Sequence, residues 1–128
     1  MYYDIIEILY KGGKLRGGTV TLKVAELVTG EPDGAIGLPL VIDDRSKIFE
    51  VTIFNVVEFK SVSEPFFHLD GERREINDFV WEAIGSEYKK TVGFYGGATE
   101  ETTRHFIVFT ETLVFEALSN TEPVINLL

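Results

Sequence analysis

Ile48-Phe49-Glu50-Val51-Thr52-Ile53-Phe54-Asn55-Val56-Val57-Glu58-Phe59-Lys60-Ser61-Val62 is the longest strand signal in this 128-residue chain. Successive side chains of a strand point to opposite faces, and here apolar and polar residues alternate. Phe49, Val51, Ile53, Val57 and Phe59 share one face. Glu50, Thr52, Glu58 and Lys60 share the other. Phe54 and Val56 interrupt the polar face, so the middle of the strand reads as covered on both sides, with a bulge near Asn55 as the alternative. If Ile53 and Phe59 are core residues, replacing either by Ala costs roughly 2–5 kcal/mol.

Toward the N-terminus the same grammar continues. Residues 2–10, YYDIIEILY, are β-branched and aromatic and read as a strand covered in part on both faces, with a short helix as the alternative. Two glycine pairs around basic residues at 11–18 form a turn, and Thr19–Val24 alternates with Val20, Leu22 and Val24 on a buried face. Together these segments make a hairpin or meander. Residues 29–37, TGEPDGAIG, are a loop, and 38–42 a short edge strand limited by Pro39.

Toward the C-terminus, Ile76, Phe79, Val80, Ala83 and Ile84 recur at helical spacing. Asn77 suits the N-cap and Asp78 the first turn, so a short helical region is expected near residues 77–90. Thr103–Thr110 and Thr112–Leu118 read as paired strands with a tight connection at Glu111, and 124–128 as a last strand. The fold class expected is α+β: one domain over residues 1–128, with a mostly antiparallel sheet of about six to eight strands, open or barrel-like, and one short helical region.

Composition excludes several kinds of function. With no cysteine there is no disulfide framework, thiolate zinc site, iron–sulfur cluster or cysteine nucleophile. The formal net charge of −9 opposes nucleic acid and anionic lipid, whose binding draws on basic side chains. The charge is uneven: residues 1–47 carry 6 bases and 7 acids, residues 48–128 carry 6 bases and 14 acids. An acidic half suits a basic protein partner. No stretch reaches the ~18 apolar residues of a membrane helix, and no secretory signal is visible, so a cytoplasmic location is expected.

Two places carry candidate chemistry. His68, Asp70 and Glu72 alternate and share a face of an extended segment; a histidine with two carboxylates suits metal ligation or acid–base work. Asp70-Gly71 is also an ordinary hairpin tip. His105 lies in an apolar strand, where a partly buried, hydrogen-bonded role is expected, with Glu116 or His68 as a partner across the sheet. The glycines at 12–18 lack the lysine–hydroxyl ending and following helix of a phosphate loop, and there is no dinucleotide fingerprint, serine elbow or calcium loop. No cofactor and no metal site is expected.

Ser86-Glu87-Tyr88, Arg104-His105-Phe106, Leu113-Val114-Phe115-Glu116-Ala117-Leu118-Ser119 and Glu122-Pro123-Val124-Ile125 follow in order. This third of the chain resembles small uncharacterised bacterial proteins ending in an HY…EVxS…EPxI-like pattern, some of them similar to immunity proteins of toxin systems. The resemblance implies a bacterial, cytoplasmic, non-enzymatic protein and no catalytic residues. Three functions follow as expectations. The first is an acidic protein-interaction module of immunity or inhibitor type. The others are a small-molecule-binding or hydrolytic domain using His68, Asp70, Glu72 or His105, and a self-associating homodimer.

Overall fold

The computed structural model describes residues 2–13, 17–31, 38–69, 71–90 and 101–128. Nine strands are described, β1 (Tyr2–Lys11), β2 (Gly18–Thr29), β3 (Leu40–Val41), β4 (Ile48–Ser63), β5 (Arg73–Glu75), β6 (Val80–Ala83), β7 (Arg104–Phe109), β8 (Leu113–Ser119) and β9 (Val124–Leu127). They form one antiparallel sheet of order β1-β2-β4-β8-β7-β6-β5, with β3 added to β2 and β9 to β4. Among the described residues no helix is long and apolar enough to cross a membrane.

Strand β4 is the spine of this sheet, pairing with β2, β8 and β9, and it carries a bulge at Asn55. Asn55 has φ 54°, a left-handed conformation that Asn tolerates better than most residues. Its side chain donates to Asn120 and Thr121, which holds the bulge in place. Phe49, Val51 and Ile53 lie opposite Val24, Leu22 and Val20 before the bulge. After it Val56, not Val57, is buried. A second register shift between Val56 and Glu58 then returns Phe59 to the core side, opposite Ala117. Phe59 nevertheless stays 36% exposed whereas Ile53 is fully buried, so Ile53→Ala is the costlier of the two substitutions.

The bulge also explains how β8 and β9 share one edge of β4. β8 pairs with Val56–Ser63 and β9 with Phe49–Thr52. Between them the chain steps aside, and the Ser119 hydroxyl donates to the Phe54 carbonyl at the bulge. Across the opposite edge Gly17 comes so close that a Cβ there would sit 2.2 Å from the Val56 carbonyl oxygen, so only glycine fits.

One face of the sheet coils on itself to make the main core. Val20, Leu22, Val24, Val51 and Ile53 from the first half meet Val80, Val108, Phe115 and Ala117 from the second. Tyr3 joins the rings of Phe49 and Phe79. The coil brings β1 against the β7–β8 turn, where the Glu111 amide donates to the Tyr3 carbonyl at 3.2 Å and Thr112 donates to Asp4 at 2.6 Å. The strand ladder still ends at β1 and β5, so the sheet is open and not a closed barrel.

The helical region near residues 77–90 is corrected. Asn77 does cap backbone amides, but those of Phe79 and Val80, at 2.9 and 2.7 Å, in a turn. The Ile76 and Asn77 amides both donate back to the Val80 carbonyl, closing a hairpin between β5 and β6. Val80 to Ala83 then pair with β7. Phe79, Val80 and Ala83 are buried while Ile84 is 46% exposed, so the helical stripe does not exist as one face. Ladder bonds on both sides of β6 outweigh a helix pattern that local spacing alone supports. Among the described residues what remains helical is α1 (Glu87–Lys90) and a 3-10 turn, Glu64–Phe66. The protein is therefore closer to all-β than to α+β.

At the β5–β6–β7 end, Glu82 receives Arg104 at 2.7 and 2.9 Å and Arg74 at 3.0 Å, and Glu122 bridges both arginines. Hydrogen bonds from Arg104 are the main cause that holds the Glu82 carboxyl below its usual range, with burial opposing. A carboxyl depressed in the folded state contributes stability that is complete above its unfolded value and lost as pH falls through the folded one. Stability should therefore fall below about pH 4.5, the ordinary Glu value. Glu82→Gln should flatten that part of a stability–pH curve measured by urea unfolding. An unchanged slope would contradict the assigned role.

Candidate functional site

The other face of the second half of the sheet carries the site. Lys60 lies opposite Glu116, which lies opposite Ile107, and Val62 opposite Val114, then Phe109. These residues alternate with Ser61, Phe115 and Val108, so they point away from the main core. Phe67 and Leu69 from the segment after Glu64–Phe66 pack on this face against Ala83, Ile107, Val114, Trp81 and Phe109. Ser86 to Lys90 covers the neighbouring part. Between these two covers lies a half-open cleft of about 360 Å³.

Ser86 is placed by the end of β6. Gly85, at φ 72°, turns the chain off the sheet, and the Ser86 hydroxyl accepts the Lys89 amide at 3.1 Å, capping α1. The same oxygen lies 2.7 Å from His105 Nδ1. A hydroxyl that accepts an amide has its own proton to donate, and Nδ1 is the acceptor in reach. The ring proton then belongs on Nε2, which donates to Glu116 Oε1 at 2.8 Å. Ser86, His105 and Glu116 are all buried and stand hydrogen-bonded in series.

Lys60 and Tyr88 close one side of the series. Lys60 Nζ is 3.7 Å from Glu116 Oε2 and 4.1 Å from the centre of the Tyr88 ring. The Tyr88 and His105 rings meet edge-on with centroids 5.2 Å apart. Burial first, and the Glu58 carboxylate second, push the Tyr88 phenol well above its ordinary pKa, so it stays protonated across the neutral range. Hydroxyl, imidazole and carboxylate thus line the cleft beside Val62, Phe67 and Leu69. This arrangement can accept a polar ligand group and move a proton between Ser86 and His105.

The candidates from sequence are divided. His105 is buried and bonded to Glu116, one of its two expected partners. His68 is exposed and lines the same cleft. Asp70 lies outside the described residues. Glu72 is exposed and engages the fold through its carbonyl, which accepts the Ile84 amide at 2.8 Å, and its side chain is not part of the cleft. Among the described residues no group of three His, Cys, Asp or Glu is arranged to hold a metal ion. Ser86 was not a candidate from sequence. Its signal was a cap, Gly85-Ser86 ahead of Glu87-Tyr88-Lys89, hidden within a stretch read as continuing helix.

Comparison with known protein families, with curated proteins and with solved structures returns no match for this chain.

Proposed function

We propose that this chain is a small-molecule-binding domain whose ligand occupies the cleft over β4, β7 and β8. The observation that carries the reading is the buried series Ser86–His105–Glu116 opening onto a cleft lined by Val62, Phe67 and Leu69 together with Lys60, His68, Glu87 and Tyr88. Ligand sites combine apolar lining with a few convergent polar groups, and volumes of roughly 300–1,000 Å³ are usual. Burying a histidine and a carboxylate is costly unless each is bonded. Here each is bonded, and the series still meets open space, which a purely structural pair does not need.

The test is a thermal-shift screen of small polar and acyl compounds on the wild type and on Val62→Trp, which fills the cleft. A ligand at a hundredfold excess over its Kd adds about 2.7 kcal/mol to folding stability. Hits should raise the melting temperature of the wild type and leave Val62→Trp unmoved. Hits that stabilise both proteins equally bind elsewhere and count against the reading.

Two other readings have their own support. Among the described residues Lys23, Arg45, Lys60, Arg73, Arg74, Lys90 and Arg104 each lie within ion-pair distance of one of the chain's own carboxylates, and the chain has 21 acids against 12 bases. That supports a non-enzymatic acidic module for a basic protein partner, of immunity or inhibitor type. Its on-rate should fall steeply with added salt in surface-plasmon measurements with such a partner; a salt-independent rate would argue against it. Strand β1 supports self-association. Among the described residues it pairs with β2 alone, and it exposes Tyr2, Ile6 and Leu9. Light scattering should then give a dimer mass at high concentration, and a monomer mass would remove this reading.

A further inference from the structure

We propose that the cleft hydrolyses small acyl esters, with Ser86 as the nucleophile, His105 as general base and acid, and Glu116 as the group that holds and charges the imidazole. The inference rests on the binding reading above and adds a reaction to it. Nucleophilic serine needs a base within hydrogen-bond reach and a third group that orients the base. The distances are 2.7 Å from Ser86 Oγ to His105 Nδ1 and 2.8 Å from His105 Nε2 to Glu116. Such constellations are recognised by geometry and roles, not by order in the chain. Either imidazole nitrogen can take the serine proton provided the other is held by the acid, and here the serine is on Nδ1.

Local structure supplies further support. Ser86 stands at a strand-to-helix turn, after β6 and before α1, with Gly85 at φ 72° making the turn. Ser86 lines the cleft together with Val62, Phe67 and Leu69. A volume of about 360 Å³, lined by Val62, Phe67 and Leu69 beside Lys60 and Tyr88, suits a small acyl ester better than a long-chain one. His68, exposed, also lines the cleft.

The steps balance without any oxidant or metal. Ser86 Oγ bonds to the ester carbonyl carbon as its proton passes to His105 Nδ1. Glu116 stabilises the imidazolium through Nε2–H. The bond from the acyl carbon to the alcohol oxygen then breaks, and the alcohol departs with the proton from Nδ1, leaving acylated Ser86. Water adds to the acyl carbon and gives a proton to Nδ1. The acyl–Oγ bond breaks, Ser86 takes that proton back, and the carboxylic acid leaves.

The experiment incubates the full chain with p-nitrophenyl acetate, following p-nitrophenol release and locating acetyl groups by peptide mass spectrometry. The expected result is turnover with acetyl on Ser86, and none of either in Ser86→Ala. His105→Gln should slow release by about 100-fold or more, the scale of a lost general base. Ser86→Ala also loses the cap of α1, so Ser86→Thr serves as the folded control: it keeps a hydroxyl for Lys89 and His105 but crowds the attack, and should melt near the wild type while turning over more slowly. Absence of any Ser86 adduct in folded wild type, or acetylation only at lysines or Tyr88, overturns the inference. In that event the corresponding methyl ketone, which binds but cannot be hydrolysed, separates the two claims. If it protects the cleft in the thermal-shift assay, the binding reading stands and only the reaction falls. If it does not, both fall.

Discussion

Phe115→Ala should lower the stability of the protein by roughly 3–5 kcal/mol, the usual range for removing a buried ring. Phe115 is 1% exposed and lies at the centre of the coiled face, stacked on Phe59 with centroids 5.6 Å apart. It belongs to the cluster that joins Val20, Leu22 and Ile53 from one half of the sheet to Val80 and Val108 from the other. Its loss opens a cavity where the two halves meet, and neighbouring strands on a hydrogen-bonded ladder cannot collapse into it freely. Urea unfolding should show a large fall in the midpoint with little change in slope. Phe59→Ala should cost clearly less, because that ring is already 36% exposed. Equal losses at the two positions would contradict the assigned core.

The second large effect is expected at Glu116. Glu116→Leu leaves His105 Nε2–H buried without its acceptor and leaves Lys60 without its carboxylate. An orphaned buried donor costs about 1–3 kcal/mol, more where charge is involved. Glu116→Gln keeps an oxygen that can accept from Nε2 and should cost less. The cleaner measurement is a double-mutant cycle of Glu116→Leu with His105→Phe. Residues in one hydrogen-bonded network usually couple by 0.5–3 kcal/mol, so the double variant should be more stable than the sum of the single losses implies. Strict additivity would mean that the two side chains do not hold each other.

Why was the sheet legible and the site only half so? Strand period two is a local property, and it marked Ile48–Val62, Thr19–Val24 and the C-terminal pair correctly. The bulge was legible only as an alternative to cover on both faces, since a broken alternation at Phe54 and Val56 fits either. The segment from Ile76 to Ile84 misled because its apolar residues match helical spacing and do not alternate, although Val80 to Ala83 is a strand. Which period wins depends on ladder bonds from Arg73–Glu75 and Arg104–Phe109, and those partners are remote in sequence. The site follows the same division. His105 could be named as a hydrogen-bonded strand residue, with Glu116 or His68 left open as its partner. Ser86 could not, since its approach to His105 depends on where β6 ends and on the turn at Gly85. His68 and Glu72 were legible as chemistry, but their separation is set by the path of the chain over the sheet.

The most direct test of the central claim, that the cleft over Ser86, His105 and Glu116 is a ligand site, is a two-bond proton–nitrogen NMR spectrum of the two histidine rings during titration with small acyl and polar compounds. His105 should appear with its proton on Nε2 and Nδ1 as acceptor, and binding compounds should move the His105 and His68 signals together. Compounds that bind the protein while both rings stay unmoved, or a His105 ring protonated on Nδ1 alone, would contradict the account.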